Sequence, residues 1–224
     1  MKKILIFITS LLLLTSCLST RESSVLTIEE KNEITNSLIS AIKTALVNTE
    51  NSLFTSVDDF TFDSSYTVYL KELPQFRRTA NSYLDNVASL LHDALKPVTD
   101  YMITYVDGFY IMDPEPYLDG GYSSISTELE RRLYNKTYNL FLSYIKEHST
   151  ALDEVYASLQ YVADIWRGNN ANLSKVGVGR IIDNIKIVSF ESIAEYATRS
   201  YFKALGEAEV VARTKLEVSS NEGR

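Results

Sequence analysis

The residues able to do chemistry in this 224-residue chain are few: one cysteine, two histidines, and a large stock of carboxylates and tyrosines. Cys17 has no second cysteine to pair with. Nucleophilic catalysis needs a hydroxyl or thiol beside a base. His92 and His148 are the only imidazoles; each lies in a stretch of helical spacing, outside any recognisable motif, and reads as a polar helix position. Paired carboxylates do acid–base work when one of them is desolvated. Glu191 and Glu195, four apart, share a helix face, as solvated pairs commonly do. A zinc or copper site needs several soft or imidazole ligands, which this composition does not supply.

The loop from Met112 to Gly121, MDPEPYLDGG, sets Asp113, Glu115 and Asp119 near glycines. A calcium loop alternates oxygen ligands before its glycine. Here Pro114 and Pro116 intervene and Tyr117 takes the third ligand place, so Asp113 reads as a helix cap. Gly177-Val178-Gly179 lacks the lysine and serine of a phosphate loop. No catalytic residue, metal ligand or cofactor is assigned. The tyrosines stand out: fifteen in all, eight of them from Tyr101 to Tyr144. Tyrosine suits surfaces half apolar and half wet, at helix contacts and binding sites alike. A candidate binding surface centres on Phe109, Tyr110, Tyr117 and Tyr122.

Cys17 is explained by what precedes it. Met1-Lys2-Lys3 is a basic start, Ile4 to Leu14 is an uncharged apolar run, and Thr15-Ser16 is small and polar. That is the layout of a secretory signal peptide. The run of about eleven residues is short of the roughly twenty that span a bilayer. Leu14-Thr15-Ser16-Cys17 resembles the lipobox of bacterial lipoproteins, which implies cleavage between Ser16 and Cys17 and acylation of the thiol. Two or three acyl chains, at about 0.8 kcal/mol per buried methylene, make attachment practically permanent. Leu18, where an aspartate would hold a lipoprotein at the inner membrane, points to the periplasmic face of the outer membrane in a two-membrane organism.

Cleavage leaves 208 residues and takes the formal charge from −7 to −9, because Lys2 and Lys3 are lost. An acidic chain has no electrostatic footprint for nucleic acid. With 45% hydrophobic residues, four prolines and eight glycines, there is ample material for one core. The reading is residues 1–16 signal peptide, 17–26 lipidated tether, 27–218 helical domain, and 219–224 a frayed C-terminus.

Inside the domain, Thr27-Ile28-Glu29-Glu30 is a capping-box start. Ile34, Leu38, Ala41, Ile42, Ala45 and Leu46 then recur at helical spacing. Phe60 to Leu70 alternates around Asp63-Ser64-Ser65 and suggests a small β-hairpin near 59–70. After Pro74 a helix carries Tyr83, Val87, Leu90, Leu91, Ala94 and Leu95 inward, and Pro97 should end or kink it. A short element starts at Asp113-Pro114-Glu115 and stops at Gly120-Gly121. A longer helix spans about Ser124 to Glu147. Another begins at Ser149-Thr150 and should break at Arg167-Gly168-Asn169-Asn170. Ile185 to Val188 could form a short strand. Ser189 caps a last helix with Ile193, Ala194, Ala197, Tyr201, Leu205 and Ala212 inward. The expected architecture is all-α, a single-domain bundle of about five to seven helices.

Three places in this order carry a family resemblance. Val68 to Leu73 is an extended strip before a helix; Asp119-Gly120-Gly121 is a turn into a long helix that includes Phe141; Ile187 to Ala212, with Phe190-Glu191, Ala204-Leu205 and Glu207 to Arg213, is a closing helix. The chain thereby resembles the exported bacterial proteins of domain of unknown function 4197. It departs from them at Tyr122, where an acidic residue is usual, and in lacking prolines before the second helix. The resemblance implies a helical fold and no established activity.

Two functional expectations follow. One is a lipid-anchored envelope protein that binds or assembles with an envelope partner without catalysis. The other is an envelope polymer hydrolase using Glu191 and Glu195. Under either, Cys17→Ser abolishes incorporation of labelled fatty acid in cells. Labelling that persists in the serine variant rules out Cys17 as the attachment point.

Overall fold

The computed structural model describes residues 26–57, 74–109, 111, 113–177 and 189–222. Six α-helices are found among them: α1 (Ile28–Ser52), α2 (Pro74–Asp107), α3 (Glu115–Asp119), α4 (Ser124–Glu147), α5 (Thr150–Ser174) and α6 (Phe190–Glu222). The chain is an all-α bundle, and no strand occurs among the described residues. Cys17, the 59–70 hairpin and the 185–188 strand lie outside them.

Helices α1 and α6 start on the caps their sequences announce. Thr27 Oγ1 accepts from the Glu30 amide at 3.2 Å while Glu30 Oε2 accepts from the Thr27 amide at 2.7 Å, closing the capping box. Ser189 Oγ accepts from the Ser192 amide at 3.2 Å and starts α6. At the far end of α1, Phe54 takes a left-handed φ of 58°, a conformation a bulky residue rarely adopts. Its buried ring explains why it is held there: it meets Phe141 edge-on at 6.2 Å and Tyr196 at 6.3 Å.

The apolar stripes read from the sequence are the core. Leu38, Ala41, Ile42, Ala45 and Leu46 of α1 are buried, as are Ile193, Ala194, Ala197, Tyr201, Leu205 and Ala212 of α6. On α4, Ile125, Leu129, Leu133, Thr137, Phe141 and Ile145 recur every fourth residue and are all buried. The Thr137 hydroxyl is satisfied by the Leu133 carbonyl at 2.9 Å. Helix α6 packs on α1 and α4, while α5 packs on α2.

Helix α2 is the spine. Its last part lies against α4, with Arg132 over Phe109 and Lys136 over Tyr101. Its first part lies against α5, where Tyr83 meets Tyr156 at 6.5 Å. Contacts thus move steadily toward the start of α2 as the chain advances through α4 and α5, so these two helices run in succession along α2, antiparallel to it.

Neither Pro97 nor Gly168 ends its helix. Pro97 lies inside α2 rather than ending it. Leu95, Val98 and Met102 are fully buried on both sides of it, while Asp93, whose carbonyl loses its usual donor to the proline, is exposed to water. Gly168 likewise does not stop α5, which continues to Ser174. A mid-helix glycine costs only about 1 kcal/mol, and Ala163 and Trp166 pack against the core just before it. The backbone of α6 stays helical to Glu222, four residues past the point at which fraying was expected.

The tyrosines mostly serve packing. Tyr83 and Tyr201 are fully buried, and Tyr101, Tyr105, Tyr117, Tyr134, Tyr138, Tyr144, Tyr156 and Tyr196 are partly buried against the core. Desolvation pushes the Tyr83 phenol up to about 12. Because α2 is common to both halves of the bundle, Leu95→Ala should destabilise the whole protein by about 2–5 kcal/mol. Circular dichroism during heating should show a lowered Tm and one transition; an unchanged Tm would refute the placement of Leu95.

Candidate functional site

The corner formed by the start of α1, the end of α2, α3 and the start of α4 holds most of the candidate surface. Phe109 follows α2 directly. Its ring lies 6.0 Å from Tyr105 and meets Tyr117 of α3 edge-on at 6.4 Å. The Arg132 guanidinium sits 5.2 Å above the Phe109 ring. Phe109 is therefore largely buried and contributes an edge rather than a free face. Tyr117 is half-buried, and Tyr122, beyond the Gly120–Gly121 turn, is 45% exposed. Tyr110 lies outside the described residues.

Glu128 gathers the cations of this corner. Arg131 Nη2 reaches its Oε1 at 2.8 Å and Arg132 Nε reaches the same oxygen at 2.5 Å. Hydrogen bonding from Arg131, with that from Arg132, holds the Glu128 carboxyl at about 2, far below the ordinary range. Lys31, one turn into α1, pairs with Asp113 at 3.3 Å and Glu115 at 3.7 Å. The acids of the Met112–Gly121 loop thus meet a lysine. Asp113 accepts from the Glu115 amide at 3.4 Å, but the cap position of α3 is Pro114, one residue later than expected.

Beside Phe109 an open groove of about 500 Å³ runs between α1 and the end of α2. Asn32, Thr35, Asn36 and Ile39 form one wall, and Asp107, Gly108 and Phe109 the other. The α1 residues have spacings of three and four, so they share one helix face, beside the buried stripe, with Ile39 packed against the core. Asp107 turns one oxygen to Lys43.

The carboxylates of the hydrolase reading lie elsewhere, at the start of α6. Glu191 pairs with Lys146 at 2.8 Å, and this contact lowers its pKa. Glu195 pairs with Arg199 at 2.7 Å; the Tyr134 hydroxyl, then Arg199, lower its pKa. Both are open to water and held ionised, the reverse of what a desolvated general acid requires. His92 and His148 are bound to backbone: their Nδ1 atoms lie 3.0 Å from the Leu53 carbonyl and 2.9 Å from the Tyr144 carbonyl. Among the described residues no group of three or more histidine or acidic side chains is placed to hold a metal ion, and no helix is long and apolar enough to cross a membrane.

Sequence reasoning missed the pair that fixes this corner. Glu209 is fully buried and Arg213 nearly so, one helical turn apart on α6 and 2.5 Å from each other. The Glu209 carboxylate accepts from the Ile125 amide at 3.2 Å and the Ser126 amide at 2.7 Å, two of the first amides of α4 that have no partner within the helix. Arg213 donates to the carbonyls of Tyr117 at 2.9 Å and Gly121 at 3.2 Å and to Ser124 Oγ at 3.0 Å. Ser124 Oγ donates in turn to the Tyr117 carbonyl at 2.6 Å. The available signal was a charge at position 209 in the stripe Tyr201, Leu205, Ala212, where an apolar residue would continue the pattern.

The turn this pair grips needs both its glycines. A Cβ on Gly120 would sit 2.8 Å from the Pro116 carbonyl oxygen. Gly121 has a φ of 86°, in the left-handed region. Removing one partner of a buried ion pair typically costs 3–5 kcal/mol. Glu209→Gln should accordingly lower stability by about 3–5 kcal/mol and speed hydrogen exchange at residues 117–126 before the rest of the bundle. Uniform exchange with native stability would show that the pair does not fix the corner.

Comparison with family models, with curated proteins and with solved structures returns no match for this chain.

Proposed function

We propose that the protein is a lipid-anchored component of a bacterial envelope that binds or assembles with a partner without catalysis, and that it is a divergent relative of the domain of unknown function 4197 proteins it resembles. The anchor is Cys17, after cleavage of the leader at Ser16. The observation that carries the binding role is the groove beside Phe109, whose ring meets Tyr117 of the turn that the Glu209–Arg213 pair holds. A rigid corner with an open groove suits recognition, because little ordering is left to be done on binding.

Placement supports the same reading. The groove opens about one turn from Thr27, where the chain arriving from Cys17 enters α1. Ten residues reach at most about 35 Å. The binding corner is thus the end of the domain tied to the membrane, on the periplasmic face of the outer membrane if the organism has two. The hydrolase alternative finds less support, since Glu191 and Glu195 are solvated and each is neutralised by a basic side chain.

In-cell cross-linking of the acylated protein, followed by affinity capture and mass spectrometry, tests the reading. The Tyr110→Ala/Tyr117→Ala/Tyr122→Ala variant should lose a partner that the native chain captures, with helicity retained. A partner retained by the triple variant would remove the corner from the binding surface.

A further inference from the structure

The groove at Phe109 has a composition that selects among ligands. Asn32 and Asn36 offer two primary amides one helical turn apart, and Thr35 places a hydroxyl between them. None of these three side chains makes a hydrogen bond to another described residue. Across the groove Asp107 supplies a carboxylate acceptor, and its pairing with Lys43 leaves the second oxygen open. Ile39 and the edge of Phe109 add apolar contact between the polar groups. The volume, about 500 Å³, falls within the range of small-ligand clefts.

Charge narrows the choice further. The lining carries one carboxylate, matched by Lys43, and no cation of its own, so nothing in it is set to hold a strongly charged polymer. Arg132, which lies over the Phe109 ring, is paired with Glu128. A purely apolar ligand would strip water from two amides, a hydroxyl and a carboxylate with nothing in return. What fits is an uncharged ligand that alternates hydroxyl or amide groups with C–H faces.

We infer that the groove lined by Asn32, Thr35, Asn36, Ile39, Asp107 and Phe109 binds a linear, uncharged saccharide bearing acetamido groups. A side-chain amide and an acetamido group each carry one donor and one acceptor, so the two pair in both directions; Asp107 accepts from a sugar hydroxyl, and Ile39 with Phe109 covers a ring face. The tether fits such an occupant, since it keeps the groove within about 35 Å of the membrane, where an envelope polymer could be reached. The inference names the ligand of the binding site proposed above and depends on that site for its place in the cell.

The experiment uses the full chain as its host processes it, extracted in mild detergent, and titrates it with the linear tetramer of N-acetylglucosamine in a calorimeter. Saturable binding is expected, weakened about tenfold by Asn32→Ala/Asn36→Ala and abolished by Thr35→Trp, which fills the groove from a half-buried position on its α1 wall. Unchanged helicity in both variants excludes a folding defect. No saturable binding, or binding that both variants retain, overturns the inference. Preference for tetra-alanine or polyphosphate over the sugar also overturns it, in favour of a peptide or an anion. Fatty-acid labelling of the same preparation separates the two readings: a labelled chain that ignores the sugar keeps the anchor and loses the groove, and an unlabelled chain that binds it does the reverse.

Discussion

The buried pair of Glu209 and Arg213 ties together elements from three parts of the chain. Its carboxylate satisfies the first amides of α4, while its guanidinium satisfies carbonyls in and just after α3. Each charge therefore replaces lost water with backbone dipoles of the opposite sign, in addition to its partner. Without the carboxylate, α4 would begin against the core with two bare amides. Without the guanidinium, the Tyr117 and Gly121 carbonyls would each lose a donor and be left to Ser124. The long spine of α2 and the packing of α6 on α1 and α4 give the bundle its bulk; this pair fixes how the connection between α2 and α4 is folded.

That connection decides the shape of the candidate site. It carries Phe109 out of α2, returns through α3 with Tyr117 against the Phe109 ring, and reaches Tyr122 just before α4. The salt bridges of Lys31 to Asp113 and Glu115 bring it beside the first turns of α1. These exposed pairs contribute little stability, at most about 1 kcal/mol each. Their effect is orientation: they hold the start of α3 beside α1, while Lys43 joins α1 to Asp107 in the facing wall of the groove. The carboxylates at the start of α6 have the opposite surroundings, open to water and matched one to one with cations, which leaves them solvated and ionised.

Much of the fold was legible because helical periodicity is local. The stripes of α1, α4 and α6, the capping box at Thr27 and the cap at Ser189 required only neighbours within one or two turns. Local signals did not end helices where they competed with burial. Pro97 and Gly168 are helix breakers by propensity, yet the stripes around them pack across these positions, and packing outweighs a local cost of a few kcal/mol. The candidate surface was legible in part. Aromatic density marked the stretch from Phe109 to Tyr122, but residue type could not say that Phe109 would turn its ring inward under Arg132. Asn32, Thr35 and Asn36 gave no signal, since a polar helix face beside a buried stripe looks like any solvated face.

By itself the sequence determined the class of the fold, the extents of most helices and the residues of their buried stripes, because spacing along a helix dictates which side chains share a face. It also carried the order of basic start, apolar run and Cys17, which is a matter of position along the chain. Tertiary structure alone decided that Glu209 would be neutralised inside the protein, that Arg213 would reach back more than ninety residues to Tyr117 and Gly121, and that α1 would face the end of α2 across a groove. Those outcomes depend on which distant backbone groups lie within hydrogen-bonding distance once the helices pack, a quantity that has no period along the chain.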